Sequence, residues 1–301
     1  MTTKQALILG NQKLKTNHID SAYLDAEILL SFILKQNKEF IYTHPEHSLT
    51  SSQIKKINQL IAHRVKGKPV AYLIGHKNFY GFDFIVNKNV LIPRPETELV
   101  VDSILTLIKN KSASKYILID VGTGSGCIPI ALAKNLRQLP NIKYYGLDIS
   151  DSALKVAKRN AQIHDLAKKI KFIKSDLLKN IFNTKYLIPN AEIIVSANLP
   201  YLSTKQYLSN PDLKYEPKQA LIAGSDGLKY YRQLIKQIKT LISYTSSIVI
   251  FLEIDPAQTA TIKKVIHSHL PKAHIAVQKD LSRRNRLIVI NLNYKMKSHS
   301  H

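Results

Sequence analysis

The sequence predicts an α/β fold in which a mostly parallel sheet, covered by helices on both faces, follows a small bundle of helices. Residues 1 to about 73 hold helix-period apolar patterns and no convincing strand. From Thr97 onward, short β-branched runs alternate with helical stretches at the spacing of strand–helix–strand units. At 301 residues and 45% apolar content, the chain is long for one domain and rich enough for two packed cores.

Taken in order, "SAYLDAEILLSFIL" (21–34) starts on Ser or Asp and is nearly continuously apolar, as a buried helix is. "TSSQIKKINQLIAHRV" (50–65) opens on capping residues. It then places Ile54, Ile57, Leu60, Ile61 and Val65 on one face, with Lys55, Lys56, Gln59 and Arg64 opposite. These helices make residues 1–75 a bundle. In "FYGFDFIVNKNVLIPRPETE" (79–98), aromatic and β-branched residues flank an Asn-Lys-Asn turn, which reads as a hairpin stopped by Pro93 and Pro95. Residues 76–96 therefore form a β-hairpin connector. The domain at 97–301 begins with a helix at 97–110 and a strand at 116–121. A helix at 126–138, a strand at 143–149 and a helix at 151–164 follow. Strands at 170–175 and 192–197, a helix at 226–243, a strand at 247–254 and a helix at 257–269 come next. Two strands near 273–279 and 286–293, close enough to pair antiparallel, precede a polar tail "KMKSHSH".

Composition narrows the function classes. A single cysteine, Cys127, excludes an internal disulfide and a cysteine-rich zinc site, so no metal is expected and a reducing compartment is. The opening "MTTKQALILGNQKLKTN" has no apolar signal core, and no run of about 18 apolar residues occurs. A cytoplasmic protein without a membrane segment, and a monomer, are the expectations. The net charge of +23 has two readings: a polyanionic partner such as RNA, DNA or an RNA-bound protein, or a lysine-biased, solvated surface. Only eight of the 44 basic residues are Arg, and the lysines are spread along the chain. Bidentate recognition of phosphates or bases favours clustered Arg instead. Nucleic-acid binding is thus possible but not required.

Ligands of an open parallel sheet bind beyond the carboxyl ends of its strands. The first strand runs into "DVGTGSGC" (120–127), where Gly122, Thr123, Gly124, Ser125 and Gly126 form a turn that a ligand can approach closely. Taken alone this is equally a tight turn. It lacks both the dinucleotide spacing and the Lys-Ser/Thr of a phosphate loop. The second strand ends in Asp148, 26 residues past Gly122, placed to accept both hydroxyls of a ribose or simply solvated. The third ends in Asp176, suited to an exocyclic amine or to capping a helix, and in Leu177, suited to cover a base. Four consecutive strand ends thus offer groups for one nucleoside without phosphates, which fits S-adenosylmethionine better than NAD or ATP.

The fourth strand, "EIIVSA", ends in Asn198-Leu199-Pro200-Tyr201. The nitrogen of an amide or aromatic amine is a poor nucleophile because its lone pair is delocalised. Two acceptors aimed at its two N–H bonds fix its orientation and favour the positive charge that develops during attack on a sulfonium methyl. Asn198 can supply a side-chain carbonyl and Leu199 a backbone carbonyl. Pro200 removes a competing donor and stiffens the turn, and Tyr201 offers a flat face for stacking. The bland alternative is a turn with a buried tyrosine.

With these residues in view, the chain resembles the bacterial release factor glutamine methyltransferases, the HemK/PrmC family, over nearly its whole length. The resemblance is carried by "LDAEILL" (24–30), "RVKGKPVAYLIGHKNFYGFDFIVNKNVLIPRPETE" (64–98), "DVGTGSG" (120–126) and "NLPY" (198–201). "KYEPKQALIAGSDGL" (214–228) and "LEI" (252–254) add to it, and the stretch ending in "LIPRPETE" is the most specific part. The resemblance implies a Rossmann-like class I methyltransferase fold and S-adenosylmethionine as methyl donor. The implied substrate is the glutamine of the Gly-Gly-Gln motif in class I peptide chain release factors. It places cofactor contacts at Gly122 to Gly126, Asp148 and Leu177, the substrate clamp at Asn198 to Tyr201, and release-factor docking on the helical bundle. Two departures stand out: the family usually has Pro where this chain has Leu199, and often an aromatic where it has Leu177.

Asn-Leu-Pro-Tyr is also found in rRNA adenine dimethyltransferases, the main alternative. Those enzymes resemble a methyltransferase core with helices appended after it and a glycine loop opening on Glu. Here the helices come first and the loop opens on Asp120. DNA adenine methyltransferases need a target-recognition domain for which no segment remains. A basic binding protein on a lapsed methyltransferase fold is the non-catalytic reading.

Overall fold

The computed structural model describes residues 1–110, 115–182, 186, 191–242 and 247–293. The polar tail and the last residue of the helix expected at 226–243 lie outside them. The chain divides into two compact units, Met1–His76 and Lys77–His301.

The first unit is helical: α1 (Thr3–Lys15), α2 (Ala22–Leu34), α3 (Lys38–Thr43), α4 (Ser51–Val65) and α5 (Val70–Ile74). Capping boxes at Thr2/Gln5 and Thr50/Gln53 satisfy the first amides of α1 and α4. The α2 and α4 patterns converge on a core that includes Leu29, Leu30, Ile57 and Ile61. In α2, Asp25 is buried, and Arg64 Nε meets its Oδ2 at 2.6 Å while Ser21 donates to the same atom. That pairing keeps a charge in the core tolerable.

A two-stranded sheet follows, β1 (His76–Phe79) and β2 (Phe82–Ile85). Its turn is Tyr80-Gly81, not Asn87-Lys88-Asn89. Both turn residues have positive φ, +53° and +75°, the combination that a two-residue hairpin turn needs. The strain on Tyr80 is offset by two bonds: its N–H donates to Glu98 Oε1 at 2.8 Å and its hydroxyl to Asp102 Oδ1 at 2.6 Å. Asn87–Val90 does form a turn, with Val90 N donating to Asn87 O, but no strand returns from it.

Then come α6 (Glu98–Lys109), β3 (Tyr116–Val121), α7 (Cys127–Asn135), β4 (Ile142–Asp148), α8 (Asp151–Ile163), β5 (Ile170–Lys174) and β6 (Glu192–Ala197). A short α9 (Thr204–Leu208) precedes α10 (Lys229–Leu241), β7 (Ser247–Glu253), α11 (Thr259–His269), β8 (His274–Lys279) and β9 (Asn285–Asn293). The strand order is β5-β4-β3-β6-β7-β9-β8. The first five strands are parallel, and β9 pairs antiparallel with both β7 and β8. Alternate residues of each central strand enter opposite cores. In β3, Ile117, Ile119 and Val121 join the α10/α11 side, while Tyr116 and Leu118 join the α6/α7 side. This is the expected α/β sheet, with the strand order reversing between β3 and β6, where open sheets bind ligands. Among the described residues no helix is long and apolar enough to cross a membrane.

Candidate active site

A cavity of about 250 Å³ lies beyond the carboxyl ends of β3, β4, β5 and β6. Gly122, Gly124, Asp148, Asp176, Leu177 and Asn198 all line it, as do Thr123, Ser125, Leu199 and Pro200. The register explains the convergence. Val121 pairs with Ala197, so the residues that leave those two strands, Gly122 and Asn198, emerge side by side. Gly122 has φ +73°, and a Cβ there would stand 3.1 Å from Leu199 Cδ2. The positive φ suits glycine, and a side chain there would press on Leu199.

The glycine turn is held from behind. The amides of Gly122 and Thr123 both donate to Leu147 O, at 2.8 and 2.9 Å. Asn160 of α8, fully buried, donates to Ser125 O and exchanges bonds with Ile85 N and O, which ties the turn to β2. Asp148 accepts from Gly124 N and Ser150 N, each at 2.9 Å. Burial raises its pKa while those amides draw it down. Each of its oxygens retains a lone pair for a ligand hydroxyl. Asp176 forms an exposed pair with Lys179 at 2.5 Å. Leu177 is buried at φ +53°, with its side chain in both the core and the cavity wall.

Two residues expected in the site do not line it. Gly126, at φ +79°, precedes α7, and its Cβ position faces Ala157, Ile130 and Phe172. The Tyr201 ring packs on the core and not on the cavity. Its carbonyl accepts from Gln258 Nε2 at 2.8 Å, and a Cβ on Gly227 would fall 2.1 Å from that oxygen. The chain is thus pinned where it turns away. The aromatic side chain on the cavity wall is Tyr230, from α10.

The sequence reading also missed a wall. Lys88, Asn89, Val90, Pro93 and Arg94 line the cavity from the connector, Thr97 from the turn before α6, and Pro217, Gln219 and Ala220 from the loop after α9. The connector and that loop are locked together. Buried Glu216 accepts from Arg94 Nη2 at 2.5 Å and from Ile92 N at 3.1 Å. The signal was the "IPRPETE" stretch, singled out for resemblance but given no site role.

Two polar side chains, Thr97 and Tyr231, support the Asn198 turn. Asn198 Nδ2 donates to Thr97 Oγ1 at 3.0 Å. Thr97 and the carboxyl of Glu253, the last residue of β7, are both buried. Burial pushes that carboxyl up to about 7, against the opposing pull of Thr97 and Arg286. The buried Tyr231 hydroxyl donates to Glu253 O and lies 3.3 Å from Leu199 O. A second buried acid, Asp120, is likewise raised to about 7 by burial, although Ser196 donates to its Oδ1 at 2.8 Å. Asp120 Oδ2 and Thr123 Oγ1 are buried without a hydrogen-bond partner of full geometry, although Thr123 also draws the Asp120 value down.

The chain matches two family models, the PrmC N-terminal domain over residues 5–75 and a methyltransferase domain over residues 112–280. It is 34% identical to a release factor glutamine methyltransferase of Clostridium botulinum, across 96% of this chain and 98% of that one. With the release factor glutamine methyltransferase of Bacillus anthracis the identity is 32%, across 87% and 90%. A bifunctional methyltransferase of Rickettsia bellii is 32% identical over 94% of this chain, which spans only 53% of that protein. Among solved structures, the catalytic domain of hMettl16 in complex with a MAT2A 3′UTR hairpin matches with a TM-score of 0.55 at 16% identity, across 82% of this chain and 83% of that one. That likeness concerns the fold.

Proposed function

The chain belongs to the release factor glutamine methyltransferase family, and on that premise we propose that it methylates the side-chain amide nitrogen (N5) of a glutamine. The glutamine is the one in the Gly-Gly-Gln loop of class I peptide chain release factors. The observation that carries the reading is the meeting of the Asn198-Leu199-Pro200 turn with the Gly122 turn in one cavity.

S-adenosylmethionine, when bound, supplies a methyl group on a positively charged sulfur. The residues present fit it: a turn without side chains at Gly122 and Gly124, a carboxylate at Asp148 and an apolar surface at Leu177. Asp148 would accept from ribose hydroxyls, its orientation already set by two backbone amides. Lys88 reaches the cavity from the connector, but the glycine turn itself carries no lysine for a pyrophosphate.

On the substrate side, Asn198 Oδ1 and Leu199 O would accept the two N–H bonds of the glutamine carboxamide. This orients its nitrogen and stabilises the charge that grows on it. Pro200 leaves no N–H at the turn to compete. Tyr201 serves by anchoring the turn through its core packing and its carbonyl. The methylated nitrogen is acidic, so its proton can pass to water without a dedicated base.

The test is incubation with labelled S-adenosylmethionine, a class I release factor and small-subunit rRNA. Label is expected on the release factor, and replacing its Gly-Gly-Gln glutamine by alanine should abolish it. Label on the rRNA alone would favour an adenine-amino methyltransferase and overturn the reading.

A further inference from the structure

We infer that Asn160 is a positioning residue that sets the spacing between the glycine turn and the connector, and through it the affinity for S-adenosylmethionine. This rests on reading that turn as the cofactor site. Residues 122–126 alternate glycine with small residues, so the turn's own side chains do little to fix its shape. The groups behind it must do so.

Gly126 has φ +79°, and a Cβ there would stand 3.2 Å from Ala157 Cβ. The missing side chain lets α8 pack directly on the turn. Asn160 lies three residues past Ala157, on the same helix face, and is fully buried. Its Nδ2 donates to Ser125 O at 2.9 Å and to Ile85 O at 3.0 Å, and its Oδ1 accepts from Ile85 N at 2.8 Å. A carboxamide has two N–H donors, and both are used. A flipped amide would set its oxygen against two carbonyls and its NH₂ against an N–H. The orientation is therefore fixed.

Toward β2 the side chain acts as a neighbouring strand would, taking both backbone groups of one residue. Ile85 is the last residue of β2, and soon after it Lys88 to Arg94 line the cavity. Ser125 lines the cavity where the glycine turn runs into α7. Asn160 thus joins the start of one cavity wall to the end of another. Neither Asn160 nor Ile85 lines the cavity, so their effect on a ligand must pass through those walls.

A simpler role, satisfying buried backbone groups, would cost stability alone, and α8 offers the control for it. His164, which ends the helix, also holds the hairpin. Its Nε2 lies 2.8 Å from Asp83 O, and Phe82 and Phe84 pack on its ring. Those partners belong to the hairpin and not to the glycine turn.

The experiment compares wild type with Asn160→Asp and His164→Ala. It measures the Kd for S-adenosylmethionine by calorimetry, the melting temperature, and backbone hydrogen exchange with and without S-adenosylhomocysteine. Asn160→Asp keeps the size and the acceptor for Ile85 N but sets an oxygen against Ser125 O and Ile85 O. Its Kd should rise roughly 10- to 100-fold, the scale of leaving buried polar groups unpaired. His164→Ala should lower the melting temperature and leave the Kd unchanged. In wild type, S-adenosylhomocysteine should slow exchange at the Ile85 amide, held by Asn160, more than at the Tyr80 amide, held by Glu98 in the same hairpin. A wild-type Kd in Asn160→Asp would overturn the inference, as would equal losses of affinity in the two variants. If Asn160→Asp does not fold, exchange decides: equal slowing at Ile85 and Tyr80 is global stabilisation and overturns it. A wild type that binds no S-adenosylmethionine would sink the cofactor reading and this inference with it. Label on rRNA alone would sink the proposed substrate and leave this test intact.

Discussion

The two walls of the cavity touch at Gly122 and Leu199, yet they are built by different means. The glycine-turn wall is local and made mainly of backbone: residues 122–125 and Asp148, held by amides, carbonyls and one buried asparagine. The Asn198 wall is held by side chains from distant parts of the chain, namely Thr97, Asn198 and Tyr231. A wall that binds a constant cofactor can rely on backbone dipoles, which no side-chain substitution removes. A wall that must orient a weak nucleophile needs acceptors whose direction is enforced, and enforcement comes from buried partners. Substitutions on the first wall should therefore act on binding, and those on the second on turnover.

The sharpest separation is Asn198→Ala. It should lower kcat by about 100- to 1000-fold, as loss of one preorganised charge-stabilising group does, while calorimetry shows S-adenosylmethionine binding little changed. Parallel losses in affinity and turnover would erase the distinction between the walls. Asp148→Ala should do the reverse, weakening cofactor affinity by roughly 1–3 kcal/mol for a lost hydrogen bond to a charged group. Turnover at saturating cofactor should stay close to wild type. A Glu216→Gln variant tests the lock between the connector and the loop after α9. It should change KM for the release factor a few-fold and leave cofactor affinity alone. An unchanged KM would mean that this lock does not shape the mouth of the cavity.

The smallest effect concerns stability. Asp120 and Glu253 have ordinary carboxyl values near 4 and folded values near 7. A raised folded pKa means that the native state binds the proton more tightly. Both groups therefore contribute stability below about pH 4 that is lost as pH rises through 7. Asp120→Asn should flatten part of the decline in melting temperature between pH 5 and 8. A variant as pH-dependent as wild type would indicate that Asp120 is ionised throughout.

The parts legible in the sequence are those written in contiguous residues. Strand–helix alternation fixed the sheet, and strand-end positions marked Gly122, Asp148, Leu177 and Asn198. The polar links were not legible, because Thr97, Glu216 and Tyr231 are ordinary residues whose meaning comes from partners remote in sequence. The hairpin turn was misplaced because Asn-Lys-Asn has the stronger turn propensity. Tyr80 adopts positive φ there while bonded to Glu98 and Asp102. Tyr201 was drawn to the cavity by its motif, whereas contacts with Gln258 and Gly227 direct the chain away from it.

The most direct test is a crystal structure with S-adenosylhomocysteine and a Gly-Gly-Gln peptide. The glutamine nitrogen should lie about 3 Å from both Asn198 Oδ1 and Leu199 O, with Asn198 Nδ2 still on Thr97. A glutamine amide seated away from Asn198, or an Asn198 that presents its nitrogen to the peptide, would contradict the account.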